Sequence, residues 1–263
     1  RSSDLIGVLD ARSIGKRVLF LAHTKELVEQ GVENFEKLWS EVSVGRFYEN
    51  YHETDKQVVC GSIQSIIRNL DLFRPDDFDY MIIDECHHAS AKSYATILSY
   101  FRPSFTLGLT ATPERADGED LLEVFQNVAH KLDIKDAVES GVLVPVRCIR
   151  VKTNINLTDV RINGFKYNSM DLETTVVVPE RNKLIVDTYL EYVKDKSTVI
   201  FCTSVDHADK IAELLRNNGV KAESVSGKTE NSKRKQILKD YENKKIKVLC
   251  ACDLLNEGWD SPI

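Results

Sequence analysis

Two adjacent acids, Asp84 and Glu85, directly follow the apolar run Tyr80–Ile83, which has the length and composition of a buried strand. In open α/β sheets, ligands bind at the edge formed by the carboxyl ends of the strands. A carboxylate there can hold Mg²⁺ through water, because Mg²⁺ keeps much of its hydration shell, and a second carboxylate can orient or deprotonate an attacking water. The pair predicts nucleotide hydrolysis, although two acids can also simply end a strand and begin a turn.

Short hydroxyl side chains end a second strand-like run, about 25 residues further along the chain. The run FTLGLTA, residues 105–111, carries Thr110 and is followed by Thr112 and a proline. Hydroxyls at a neighbouring strand edge can hydrogen-bond the acidic site and report its state. Because the acids belong to the string DECHH, residues 84–88, the two strings together favour a functional site over an ordinary strand exit.

A different string, AESVSGKT at residues 222–229, approaches the phosphate-binding pattern GxxxxGK[ST], with alanine at the first glycine position. Residues 223–226 read as strand, and only Gly227 gives the backbone the freedom to wrap phosphates. The acid that follows the next predicted strand, Asp253, lacks a neighbouring base. A simple P-loop nucleotidase that uses Lys228 is therefore an alternative of low weight.

Short apolar runs alternate with amphipathic runs of helical period along the chain. The predicted strands are 17–22, 57–62, 80–84, 105–111, 197–202, 221–226 and 245–253, and the predicted helices are 4–14, 24–39, 63–70, 93–101, 182–194, 207–219 and 231–244. Strands separated by helices imply an α/β fold of mainly parallel sheets flanked by helices. Residues 152–180 lack a clear period, so we expect a first domain at 1–145, a linker region at 146–180 and a second domain at 181–263.

The composition is that of a soluble globular protein: 263 residues, 42% hydrophobic and 29% charged. No apolar run is long enough to span a membrane, and the first residues, Arg1-Ser2-Ser3-Asp4, do not show the basic-then-apolar pattern of a secretory signal. The net charge is −6, with −9 in residues 1–145 and +3 in residues 146–263, which excludes a uniformly basic nucleic-acid binder but not a local basic groove. Six cysteines without a CxxC pair predict reduced thiols, a cytoplasmic protein and no zinc at Cys86-His87-His88.

The strings DECH and TATP, in this order, resemble motifs II and III of superfamily 2 helicases of the DExH-box kind. Other segments resemble further motifs in order: HTKELVEQ (23–30) motif Ia, GSIQS (61–65) the following DNA-contact segment, residues 199–215 motif IV and CDLLNEGWDSP (252–262) motif V. LTATPER (109–115), with GVLVP (141–145), points to relatives of the type III restriction-enzyme motor subunit. The resemblance covers nearly the whole chain.

The resemblance implies two RecA-like domains with ATP between them and nucleic acid across their top. By position, Asp84 would serve Mg²⁺, Glu85 would activate water, and His87 would couple the site to the second domain. Thr110 and Thr112 would link the ATP state to strand binding. The implied nucleotide contacts from the second domain are Gly258 and Asp260, and the implied nucleic-acid contacts are Thr24, Lys25, Gln64, Ser65, Thr203 and Arg234. For Thr24 and Lys25, a helix N-cap and a solvated lysine are the simpler interpretation.

The resemblance further implies a GxxxxGK[ST] loop and an arginine-bearing motif VI, and neither string occurs in these 263 residues. We therefore expect a piece of a larger ATP-dependent helicase or translocase, nearly inactive alone because an arginine finger contributes about 10³–10⁵ in rate. The expected cofactors are ATP and Mg²⁺. The expected partner is nucleic acid, with duplex DNA favoured and an attached nuclease or restriction-modification domain compatible with it. A non-catalytic nucleic-acid-binding or scaffold module of the same fold is the alternative.

Overall fold

The computed structural model describes residues 2–88, 92–112, 125–153, 158, 160–163, 166–194 and 196–252. The chain divides into two compact units, residues 1–145 and 146–263. Among the described residues, no helix is both long and apolar enough to cross a membrane.

The first unit is built on a six-stranded sheet with the order β3-β2-β4-β1-β5-β6. Its strands are β1 (Val18–Ala22), β2 (Val44–Tyr48), β3 (Tyr51–His52), β4 (Val58–Ser62), β5 (Tyr80–Asp84) and β6 (Phe105–Leu109). All neighbouring strands run parallel except β2 and β3, which form an antiparallel hairpin. The described helices of this unit are α1 (Ser2–Ile14), α2 (Lys25–Leu38), α3 (Ile63–Arg68), α4 (Lys92–Tyr100) and α5 (Ile134–Glu139).

Helices cover both faces of this sheet, so β1, β4 and β5 are buried along their whole length. On one face, α1 and α2 pack over a cluster that includes Phe20 and Phe35. On the other face, α3 and α4 pack over a cluster that includes Phe47, Phe73 and Phe78. Burial on two faces explains why these strands are continuous apolar runs. Polar side chains on these strands can therefore reach solvent only at the strand ends.

The second unit contains a three-stranded parallel sheet with the order β10-β11-β9. Its strands are a short antiparallel pair β7 (Ile162–Asn163) and β8 (Lys166–Tyr167), followed by β9 (Thr198–Phe201), β10 (Ala222–Ser226) and β11 (Val248–Cys252). Its described helices are α6 (Ser169–Val176), α7 (Pro179–Thr188), which continues as a π turn over Tyr189–Val193, α8 (Val205–Asn217) and α9 (Asn231–Glu242). The α7 and α8 helices cover one face and α9 the other.

The α/β prediction is confirmed, and each predicted strand and helix is present with its bounds shifted by a few residues. The sequence did not indicate the β2–β3 hairpin, since its second strand is only two residues long and shows no period. Residues 146–180, expected as a linker, hold the pair β7–β8 and helix α6, and they fall within the second compact unit. Strands of two residues and a helix of eight are too short for periodicity to reveal.

All six cysteines lie in the part of the chain that the structure describes, and none of them forms a disulfide. Four of them are buried, Cys202 is partly buried and Cys148 is exposed. Most therefore lie in the core, as their apolar surroundings in the sequence predict, and Cys148 is the exception.

Candidate nucleotide site and nucleic-acid cleft

The strand order of the first unit places the carboxyl ends of β4, β1, β5 and β6 side by side at one edge of the sheet. The parallel register pairs Ala22 with Ser62, at the ends of β1 and β4, and Asp84 with Leu109, at the ends of β5 and β6. Because β1 lies between β4 and β5, segments far apart in sequence meet at this edge. Nearly all of the sequence-predicted site residues of the first unit immediately follow these strands.

Asp84 and Glu85 are buried together at the end of β5, with exposed fractions of 2% and 6%. The backbone amide of Glu85 donates a hydrogen bond to Asp84 Oδ1 at 2.9 Å. Glu85 has a φ of +50°, in the left-handed region that a residue with a side chain seldom adopts. Two neighbouring carboxylates removed from water are costly, and strained backbone of this kind concentrates at functional sites. Burial of both acids and the left-handed backbone at Glu85 distinguish this site from an ordinary strand end that leads into a turn.

His87 connects the acids to the neighbouring strand. Its Nδ1 lies 3.0 Å from Thr110 Oγ1 and 3.5 Å from Glu85 Oε2. Thr110 Oγ1 in turn accepts a hydrogen bond from the backbone amide of Thr112 at 3.0 Å. Together with Asp84, five of the residues chosen from the sequence therefore form one connected group, in which Thr112 takes part through its backbone while its side chain is exposed.

The thiol of Cys86, the residue between Glu85 and His87, is buried. Burial, together with the charges of Asp84 and Glu85, raises the pKa of Cys86 to about 12. Gly108 on β6 permits this packing, because a Cβ there would lie 2.9 Å from Cys86 Sγ and 2.7 Å from the ring of Phe125. Sequence reasoning missed Gly108, although a glycine inside a strand signals the close approach of another group.

A second group of predicted residues lies where β1 leads into α2. Thr24 is the N-cap of α2, and its Oγ1 accepts a hydrogen bond from the amide of Leu27 at 3.3 Å. Lys25 Nζ is 2.9 Å from Glu49 Oε2 and lies 5.3 Å from the ring centre of Tyr48. Thr24 is thus the helix N-cap of the simpler interpretation. Lys25, in contrast, contacts Glu49 and Tyr48.

Lys25, Gln64 and Ser65 line one cleft of about 420 Å³ at the sheet edge. The structure therefore brings together three of the residues predicted to contact nucleic acid. Sequence reasoning missed Arg68 and Glu49, because they lie at the end of α3 and in the turn of the β2–β3 hairpin, outside the recognised strings. The further lining residues include His23, Glu49, His52, Ser62, Arg68 and Asn69.

In the second unit, the two predicted nucleic-acid residues that are described have local partners. Thr203 follows β9, and its amide and hydroxyl lie 3.3 and 3.1 Å from His207 Nδ1. Arg234, on α9, donates from Nη2 to Asn231 Oδ1 at 2.8 Å. Gly258 and Asp260 lie outside the described residues.

The string at residues 222–229 does not form a phosphate-binding loop. Its first part is strand β10, and its end is a turn closed by Thr229 N to Ser226 O at 3.0 Å. The amide of Ser226 donates to Thr229 Oγ1, and that of Lys228 donates to Ser226 Oγ. A phosphate loop needs such amides to point at the ligand. The cleft beside it, of about 320 Å³, is lined by three carboxylates, of Asp209, Glu223 and Glu230, and by two ammonium groups, of Lys228 and Lys233.

Within the described ranges, no group of three or more histidine, cysteine, aspartate or glutamate side chains is arranged to hold a metal ion. A magnesium ion held mostly through water needs fewer protein ligands than that. It takes one or two carboxylates together with water and nucleotide phosphates.

Comparison with known proteins identifies the family of this chain. Residues 4–115 match the family profile "Type III restriction enzyme, res subunit", and residues 180–262 match "Helicase conserved C-terminal domain". The fold is that of RecA-like helicase domains. The chain belongs to the superfamily 2 helicases, as its motifs predict.

The chain is similar to several proteins of that kind. It is 28% identical over 257 residues to IRC3 of Saccharomyces cerevisiae, named as a proposed ATP-dependent helicase, covering 93% of this chain and 37% of IRC3. It is 31% identical over 229 residues to the type I restriction enzyme EcoAI endonuclease subunit of Escherichia coli, covering 77% of this chain and 28% of that subunit. A solved fragment described as a proposed HsdR subunit of a type I restriction enzyme from Vibrio vulnificus superposes with a TM-score of 0.68 at 25% identity, covering 94% of this chain and 45% of that one. The chain thus spans less than half the length of these relatives.

Proposed function

We propose that this chain is part of an ATP-dependent DNA helicase or translocase and that ATP is hydrolysed at the carboxyl end of β5. The observation that supports this most directly is the buried pair Asp84–Glu85, joined through His87 to Thr110 on the next strand. An ordinary strand end would leave its acids in water. Family membership supports an ATP-dependent helicase core.

The donor set at the end of β5 suits Mg²⁺, which prefers carboxylate oxygens and water. Asp84 would hold the ion through water, and the bound ion would neutralise charge on the phosphates of ATP. Glu85 would orient the attacking water and accept its proton. Because His87 contacts both Glu85 and Thr110, a displacement of the end of β6 would be transmitted to this carboxylate.

The cleft that contains Lys25, Gln64 and Ser65 would carry the nucleic-acid strand. An ammonium, an amide and a hydroxyl suit contacts to phosphate and sugar, which position a strand without reading its bases. Thr24, Thr203 and Arg234 would add contacts of the same kind. The similarity to a type I restriction-enzyme subunit favours duplex DNA and a restriction-modification or nuclease partner.

The substitution Glu85→Gln in the full-length protein tests this proposal. It keeps the shape of the side chain and removes the base, so DNA-stimulated ATP hydrolysis falls by about 10²–10⁴ while nucleotide affinity is retained. Steady-state phosphate release and binding of a fluorescent ATP analogue measure the two quantities. Glu33→Gln, on the exposed side of α2, is the matched control and keeps the parental rate.

Hydrolysis by Glu85→Gln at the parental rate would contradict the assignment of the base. The alternative function, a non-catalytic nucleic-acid-binding or scaffold module, predicts a different pattern. In that case the unmodified full-length protein binds DNA but releases no phosphate, with or without DNA.

A further inference from the structure

Glu49 occupies the turn of the β2–β3 hairpin and reaches across the cleft to α2. Its Oε2 is 2.9 Å from Lys25 Nζ, and both side chains line the cleft of about 420 Å³. The hydrogen bond to Glu49 raises the pKa of Lys25 above its usual value. The carboxylate of Glu49 is therefore already paired with the ammonium of Lys25, which the proposed function assigns to a DNA phosphate.

The backbone at Glu49 is unusual for this residue type. Its φ is +48°, in the left-handed region that hairpin turns normally fill with glycine or asparagine. The turn joins Tyr48 to β3, and the rings of Tyr48 and Tyr51 pack against each other with centres 5.1 Å apart. The hairpin is thereby held so that the side chain of Glu49 is directed to Lys25.

The ion pair between Lys25 and Glu49 is weak enough for a phosphate to replace the carboxylate. The side chains of Lys25 and Glu49 are 49% and 61% exposed, and exposed ion pairs are weak because water competes for both partners. Lysine binds phosphate as a point charge, so a phosphate at the same place would replace the carboxylate without other rearrangement. Arg68, Gln64 and Ser65 line the same cleft and offer further donors to that phosphate.

We propose that Glu49 is a built-in competitor for the DNA phosphate and sets the affinity of the cleft. This inference rests on the proposed function, since it requires Lys25 to contact DNA. In the absence of DNA, Glu49 neutralises Lys25. When DNA binds, a phosphate displaces the carboxylate, and the cost of breaking the ion pair lowers the affinity.

A double-mutant cycle on the full-length protein tests this inference. Binding of a fluorescent 30-base-pair DNA duplex is measured by anisotropy at several salt concentrations without nucleotide. Glu49→Gln keeps the turn and removes the charge, so the affinity rises about two- to fivefold. Lys25→Ala lowers the affinity, and adding Glu49→Gln to Lys25→Ala gives little further change, because the partner is already absent. Glu33→Gln removes one exposed charge away from the cleft and is the control.

Each contrary result has a distinct meaning. If Lys25→Ala binds DNA as the parent does, Lys25 makes no phosphate contact, and both the inference and that part of the proposed function fail. If Lys25→Ala weakens binding but Glu49→Gln does not tighten it, the inference fails and the proposed function stands. If Glu49→Gln tightens binding equally with and without Lys25, or if Glu33→Gln has the same effect, the change reflects overall charge and the inference fails.

Discussion

The carboxyl ends of β5 and β10 both carry strings that suggest phosphate chemistry, and they are organised in opposite ways. At the end of β5, Asp84 and Glu85 are buried and are joined to the neighbouring strand through His87. At the end of β10, the backbone amides are used inside their own turn, and Lys228 is exposed to solvent. Burial and hydrogen-bond partners therefore distinguish these two strand ends, whereas their residue types alone do not.

The largest effect is expected in thiol reactivity at the β5 end. A pKa of about 12 keeps Cys86 protonated at pH 8, whereas an ordinary thiol has a pKa of about 8.5. Since the thiolate is the reactive form, iodoacetamide modifies Cys86 at least about 100-fold more slowly than the exposed Cys148. Peptide mass spectrometry over time measures both rates, and the rate at Cys86 rises with pH. Equal rates at the two positions would show that the end of β5 is open to solvent.

A smaller effect is expected from Thr110→Val, which removes the hydroxyl that contacts His87. Losing one hydrogen bond in the coupling group lowers the DNA-stimulated ATPase rate about tenfold, while nucleotide affinity changes less than about twofold. Thr106→Val, on the same strand, is the matched control. A rate unaffected by Thr110→Val would mean that the connection between β5 and β6 has no part in hydrolysis.

The smallest effect is expected from Lys228→Ala at the β10 end. Because the surrounding amides are engaged within the turn, nucleotide affinity changes less than about twofold. Titration with a fluorescent ATP analogue measures this. A tenfold or greater loss would remove the contrast between the two strand ends and restore the P-loop alternative.

The elements that depend on local periodicity were predictable from the sequence. The apolar run before Asp84 predicts β5, and the hydrophobic spacing after Thr24 predicts α2 together with its cap. It was also predictable that Asp84, Glu85, His87 and Thr110 lie close together, because parallel strands bring their carboxyl ends to one edge.

The features that depend on contacts between distant segments were not predictable in this way. Glu49 and Arg68 lie outside every recognised string and reach the cleft only through the tertiary fold. The β2–β3 hairpin is too short to show a period, and its turn uses glutamate at a position where glycine or asparagine would have signalled it.

The hydrogen on Nδ1 of His87 controls which contacts this side chain can make. A single ring nitrogen, Nδ1, is shared between Thr110 Oγ1 and Glu85 Oε2. When Nδ1 carries a hydrogen, it can make a well-aligned donation to one of these oxygens at a time, and when it carries none it accepts from the hydroxyl of Thr110. A hydrogen on Nδ1 is thus required before the carboxylate of Glu85 can receive a donor from this nitrogen.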